Sequence, residues 1–134
     1  DIESVTENVA KYSDRIRVSA FISDMATAYA AADFSLTSGG ALTLAELTLA
    51  GFPANLVPYP YAAATHQETN ERALEAQRAC IVILEKDMQK DLKTELLFLE
   101  SETDRRKTLG EAARKNSFPL ATQKIVESVF EIER

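Results

Sequence analysis

The chain has 134 residues, 46% of them hydrophobic and 27% charged, which suits one folded domain with a hydrophobic core and excludes a disordered polar chain. Its net charge of −6 argues against nucleic acid as a partner and against direct docking on an anionic membrane, since both require clustered Lys and Arg. A single cysteine, Cys80, excludes a disulfide framework and a thiolate metal site, and the lone His66 excludes a His-rich zinc site. No apolar run reaches the length of a membrane span, and no signal peptide is read at the start, so the expected setting is the reducing cytoplasm.

In chain order, Ile2, Val5, Val9 and Tyr12 recur at helical spacing and predict one helix face. The chain opens at Asp1, directly on this helical pattern, as expected after processing or truncation. "RIRVSAFI" alternates Ile16, Val18, Ala20 and Ile22, which predicts a strand over 16–22. Ser23 is placed to cap the helix "DMATAYAAAD", and "DFSLTS" predicts a short strand ending at Gly39. "ALTLAELTLAG" predicts a helix closed by Gly51 with Pro53 beyond it; being apolar nearly all round, it is expected to be buried. "ANLVPYP" predicts a strand broken by Pro58 and Pro60, "HQETNERALEAQ" a polar-faced helix, and "ACIVIL" a further apolar strand. Three helices follow, over 86–99, 102–115 and 120–133. The charged run "LESETDRRKTLGEAARK" reads as a solvated helix face. Short apolar strands alternating with helices predict an α/β fold, a Rossmann-like parallel sheet with flanking helices.

"TSGGA", residues 37–41, lies at the carboxyl end of a predicted strand, where ligands of open α/β sheets bind. Glycine there lets a ligand approach the backbone. The helix that follows offers unpaired N–H groups and a favourable dipole to an anion, a phosphate cradle that needs no basic side chain. The same residues also suit a tight strand-to-helix turn without a ligand. Glu46, six residues after Gly40, could accept both hydroxyls of a ribose; alternatively Thr43 and Glu46 form a capping box, which requires the helix to begin at Thr43. After "PYPYAAAT", His66, Gln67 and Asn70 stand at a helix start, as sugar-binding amides would or as an ordinary polar helix end. No nucleophile–base pair, zinc-protease motif or Walker loop is present, and no metal or cofactor is expected.

"FISDMATAYAAADFSL", "SGGALTLAELTLAGFPANLVPYP" and "HQETNERALE", in this order, resemble the C-terminal, donor-binding domain of MurG-type transferases, of glycosyltransferase family 28 and the GT-B fold. Members of that family move N-acetylglucosamine from UDP-GlcNAc to the lipid-linked muramyl-pentapeptide precursor of peptidoglycan (lipid II synthesis), with inversion. The resemblance implies that Phe21 packs on uracil and the Ile22 backbone bonds its edge. It also implies that Gly40, Ala41, Leu42 and Thr43 hold the diphosphate, that Glu46 holds the ribose, and that His66, Gln67 and Asn70 lie at the sugar. No catalytic residue is implied. Ser38 stands where the family usually has Arg, and His66 where some members have Gln.

The resemblance further implies one partial UDP-sugar-binding Rossmann-like domain over 1–134. The family domain's first two strands and its glycine-rich loop are expected to be missing, as is the N-terminal domain that binds the acceptor and meets the membrane. A cytoplasmic parent enzyme held peripherally at the inner membrane is the expected setting. With the central strands missing, strand 16–22 is expected to pair beside 34–38, or a second chain to fill the gap. The alternatives are a donor-binding subunit of a split glycosyltransferase docked on a membrane-bound partner, which the parent reading frame would test, and a UDP-sugar glycolipid synthase, which donor competition would test.

Overall fold

Two units divide the chain, Asp1–Ala31 and Ala32–Arg134. The structure, a computed structural model, describes residues 1–59 and 64–132, without the side chains of 64–66 and 132.

In the first unit, α1 (Ile2–Val9) starts where the Asp1 carboxylate accepts the Glu3 N–H at 3.1 Å, and a 3-10 turn, Ala10–Tyr12, continues it. Helix α2 (Met25–Ala31) is capped by Asp24 and not, as expected, by Ser23: the Asp24 carboxylate accepts the Thr27 N–H at 3.0 Å and the Thr27 hydroxyl at 2.6 Å. These two bonds hold its carboxyl below the usual range. Carboxylate charge at a helix N-terminus gives Asp24 an advantage that a serine hydroxyl lacks.

No residue of this unit is buried. The expected strand over 16–22 does not form; its residues carry no strand pairing, and Ile16, Phe21 and Ile22 are exposed. Alternating side chains supply a face, but a strand also needs a ladder partner. The expected pairing of 16–22 beside residues 34–38 is likewise not found, because the sheet among the described residues contains three strands and none comes from this stretch.

The second unit is built on those strands: β1 (Ser35–Thr37), β2 (Ala54–Leu56) and β3 (Ile81–Val82), in the order β1-β2-β3 and all parallel. Ser35 pairs with Ala54 and Thr37 with Leu56, while Asn55 and Leu56 pair with Ile81 and Val82. The α/β reading therefore holds here, with strands shorter than expected. Past the paired residues the ladder carries on through the Val57 N–H to the Thr37 carbonyl and the Ile83 N–H to the Leu56 carbonyl, both at 2.9 Å, and Pro58 has no N–H to donate. Central β2 is buried along its whole length, as a parallel strand covered on both faces should be.

Two helices make the crossovers, α3 (Ala41–Ala50) between β1 and β2 and α4 (Ala64–Ala76) between β2 and β3. Because the strands are parallel and adjacent, the N-termini of α3 and α4 both lie at the carboxyl edge of the sheet. Helix α4 starts two residues before the expected His66; Pro60, also named in the sequence reading, lies outside the described residues. A 3-10 turn over Glu85–Asp87 leads into α5 (Met88–Ser101), followed by α6 (Thr103–Lys115) and α7 (Ala121–Ile132). Arg106 of α6 donates to the Glu100 carbonyl at 2.7 Å and to the Leu99 carbonyl, which caps the end of α5 and fixes the α5–α6 bend.

Two expectations about burial are corrected. Helix α3 is not buried all round: Leu44, Leu47 and Thr48 are inward, while Leu42 is 81% and Leu49 54% exposed. It packs on one side, against α6 and α4, so its uniform apolarity overstated its contacts. The charged run 99–115 is not only a solvated face, because Leu109, Gly110 and Ala113 of α6 are buried. Gly110 lets α6 come close to α3: a Cβ there would lie 2.5 Å from the Gly51 carbonyl oxygen.

Gly51 ends α3 as expected. It adopts φ +64°, and its N–H bonds the Leu47 and Thr48 carbonyls. Gly51→Ala should therefore cost about 1–2 kcal/mol from the left-handed backbone alone. The added methyl would also meet Arg114 Nε at 2.7 Å. Thermal unfolding should show a midpoint several degrees lower; an unchanged midpoint would contradict this account of the cap.

Candidate functional site

The chain leaves β1 at Thr37, turns through Ser38, Gly39 and Gly40, and enters α3 at Ala41. The two glycines have different reasons to be glycine. Gly39 is buried, and its N–H donates to Glu71 Oε1 of α4 at 2.6 Å. A Cβ on Gly39 would lie 2.5 Å from Glu71 Cγ, so no side chain fits. Gly40 has φ −62° and ψ 155°, a conformation open to any residue, and a Cβ there would meet only Thr43 Oγ1 at 3.9 Å. Nothing among the described residues requires glycine at 40.

Gly40 is the N-cap of α3, its carbonyl accepts the Leu44 N–H at 2.9 Å, and among the described residues no side chain caps the helix. The N–H groups of Ala41, Leu42 and Thr43 are thus those that an α-helix leaves without partners in its first turn. Ala41 and Leu42 are exposed and Thr43 is half-buried, so the positive end of the helix dipole is open to the outside. The alternative reading of Thr43 and Glu46 as a capping box does not hold, because the helix begins two residues before Thr43. Glu46 lies on the exposed side of α3 with Leu42 and Leu49.

Glu71 brings α4 against this turn. The bond spans 32 residues of sequence, and the Glu71 side chain is fully buried, its Oε2 atom lacking a hydrogen-bond partner. Burial pushes its carboxyl above the usual range, against the Gly39 N–H, which favours the charged form; Glu68 adds to the rise and Arg72 opposes it. Gln67 is one turn earlier on the same face and half-buried, with Oε1 enclosed and unpartnered; Asn70 is exposed. The His66 backbone belongs to the first turn of α4.

The sequence-named residues therefore divide between the units. Gly40, Ala41, Leu42, Thr43 and Glu46 share the turn and first half of α3, and His66, Gln67 and Asn70 share the start of the neighbouring α4. Phe21 and Ile22 belong to the first unit, where Phe21 is 81% exposed and its carbonyl accepts the Ser19 hydroxyl at 2.9 Å. Sequence reasoning missed Glu71. The available signal was periodicity, since Gln67, Glu71 and Leu74 share the face of α4 that turns inward.

Residues 1–125 match the glycosyltransferase family 28 C-terminal domain. The chain is 42% identical over 127 residues, covering 95% of it, to a Salinibacter ruber protein named UDP-N-acetylglucosamine--N-acetylmuramyl-(pentapeptide) pyrophosphoryl-undecaprenol N-acetylglucosamine transferase. A protein of the same name from Acetivibrio thermocellus is 40% identical over 121 residues, 90% of this chain. The chain spans only 34% and 33% of the length of these two relatives. The crystal structure of Acinetobacter baumannii MurG superposes with a TM-score of 0.84 at 30% identity, over 97% of this chain and 40% of that one. The parallel sheet with flanking helices is thus the fold of a known domain, and the chain belongs to the glycosyltransferase family 28 C-terminal domain family.

Proposed function

We propose that this chain is the UDP-GlcNAc-binding part of an inverting N-acetylglucosaminyl transferase acting in peptidoglycan synthesis. One observation carries the reading: among the described residues nothing requires glycine at 40, which stands directly before an exposed helix N-terminus that none of them caps with a side chain. A glycine that the fold does not need makes sense where a ligand needs the backbone bare. Relatives named for transfer from UDP-N-acetylglucosamine supply the ligand class.

In this reading the donor diphosphate rests on the N–H groups of Ala41, Leu42 and Thr43. Glu46 accepts the ribose hydroxyls, Gln67, Asn70 and His66 face the sugar, and Phe21 and the Ile22 backbone take uracil. The acceptor hydroxyl forms a new bond to the anomeric carbon as the bond from that carbon to the diphosphate oxygen breaks. Negative charge then grows on the leaving UDP, and the α3 dipole stabilises it where it develops. The attacking hydroxyl passes its proton to a base outside the residues named here. The lipid-linked muramyl-pentapeptide acceptor meets the remainder of the parent enzyme, at the cytoplasmic face of the membrane. No helix among the described residues is long and apolar enough to cross a membrane.

The test is Gly40→Ala in the full-length enzyme. The structure has room for the methyl, so the fold and thermal midpoint should persist, while the KM for UDP-GlcNAc should rise about fivefold as the methyl obstructs the diphosphate. An unchanged KM would remove the argument from Gly40. The reading also assigns the diphosphate to backbone donors, so calorimetric UDP binding by the full-length enzyme should survive EDTA. A strict divalent-metal requirement for UDP binding would count against the helix cradle.

A further inference from the structure

We propose that Glu71 is a positioning residue for donor binding, one that fixes the Gly39–Gly40 turn so that the first-turn N–H groups of α3 converge on the diphosphate; this rests on the donor reading above. Glu71 lies on α4, beside the residues assigned to the sugar, and bonds the residue immediately before the N-cap of the helix assigned to the phosphates. It therefore ties together the two elements that a nucleotide sugar would bridge.

Burying a carboxyl is unfavourable, and an apolar side chain at an inward position of α4 would avoid that cost. What Glu71 provides in exchange is an acceptor for a buried N–H that otherwise has none, at 2.6 Å and in one geometry. The contact is also spatially exclusive. Glu71 occupies the volume of a Gly39 Cβ, so the turn cannot relax toward α4 and α4 cannot close on the turn. Gly39 thus serves the internal lock and Gly40 the ligand. Burial raises the Glu71 carboxyl pKa, and the Gly39 N–H opposes that rise.

The experiment is a substitution series in the full-length enzyme, read by steady-state kinetics and by UDP calorimetry. Glu71→Leu keeps the bulk and removes the acceptor; it should raise the KM for UDP-GlcNAc and the Kd for UDP about tenfold, with the acceptor KM unchanged. Glu71→Gln keeps an acceptor oxygen and should restore both constants to within about threefold of the starting enzyme. Gly39→Ala should impair donor binding alone, but beside Glu71→Ala, where the blocking side chain is gone, it should add no further loss to that of Glu71→Ala itself. Should either single variant fail to fold, the Glu71→Gln and double-variant results still decide the matter. Unchanged donor constants in Glu71→Leu, or a Glu71→Gln as impaired as Glu71→Leu, would overturn the proposal. If Gly40→Ala raises the donor KM and Glu71→Leu does not, only the role of Glu71 falls; if neither does, the donor reading falls with it.

Discussion

Glu46→Ala should raise the KM for UDP-GlcNAc at least about tenfold in the full-length enzyme, without loss of fold. A hydrogen bond to a charged acceptor contributes about 1.5–3 kcal/mol, and about 1.4 kcal/mol is a factor of ten, so losing one of the two ribose bonds that the proposed donor reading gives Glu46 already reaches that size. Two features favour a fold that persists. Glu46 is exposed on α3, and its capping alternative is removed by a helix that starts at Ala41 with Gly40 as N-cap. Alanine is also the strongest helix former, so α3 should not suffer. Circular dichroism and the thermal midpoint should match the starting enzyme while donor kinetics change. Unchanged donor kinetics would reduce Glu46 to a surface residue of the helix.

Local chemistry made much of this fold legible. Gly51 with Pro53 marked the end of α3 because a left-handed cap and a residue without an N–H are local requirements. The succession β1–α3–β2–α4–β3 was visible because each element carries its own periodicity and each boundary its own turn residues. What failed was what depends on partners far along the chain. "RIRVSAFI" has the alternation of a strand but finds no ladder in this sheet. Helix α3 has the apolarity of a buried helix, yet neighbours cover only one side of it. Gly39 and Gly40 look equivalent in "SGGA", and only the packing of α4 shows that one is filled by Glu71 and the other left open. Glu71 itself sits in "HQETNERALE", a stretch polar enough to read as solvent-facing, and its partner is 32 residues away.

The purified 134-residue chain should show no micromolar affinity for UDP and no transferase activity, although the turn at Gly40 and the start of α3 are formed in it. The residues proposed for diphosphate and ribose stand on a sheet-and-helix frame with a buried core that includes Leu44, Leu47, Leu56 and Leu109. The residues assigned to uracil do not. Phe21 and Ile22 lie in a stretch with no ladder hydrogen bonds, in a unit with no buried residue, and Phe21 is 81% exposed. Fixing a residue's backbone costs about 1–2 kcal/mol, so holding a segment as long as 16–22 for a ligand costs about as much as the roughly 8 kcal/mol that micromolar binding represents. Backbone contacts to a diphosphate alone cannot offset that in water, where the anion is already well solvated. Titrating UDP into the purified chain by calorimetry should give no binding heat at micromolar concentrations, while the full-length enzyme of the proposed reading should bind. Micromolar binding by the 134 residues would show that Phe21 and Ile22 are already held in place, or that the α3 turn and Glu46 suffice without them.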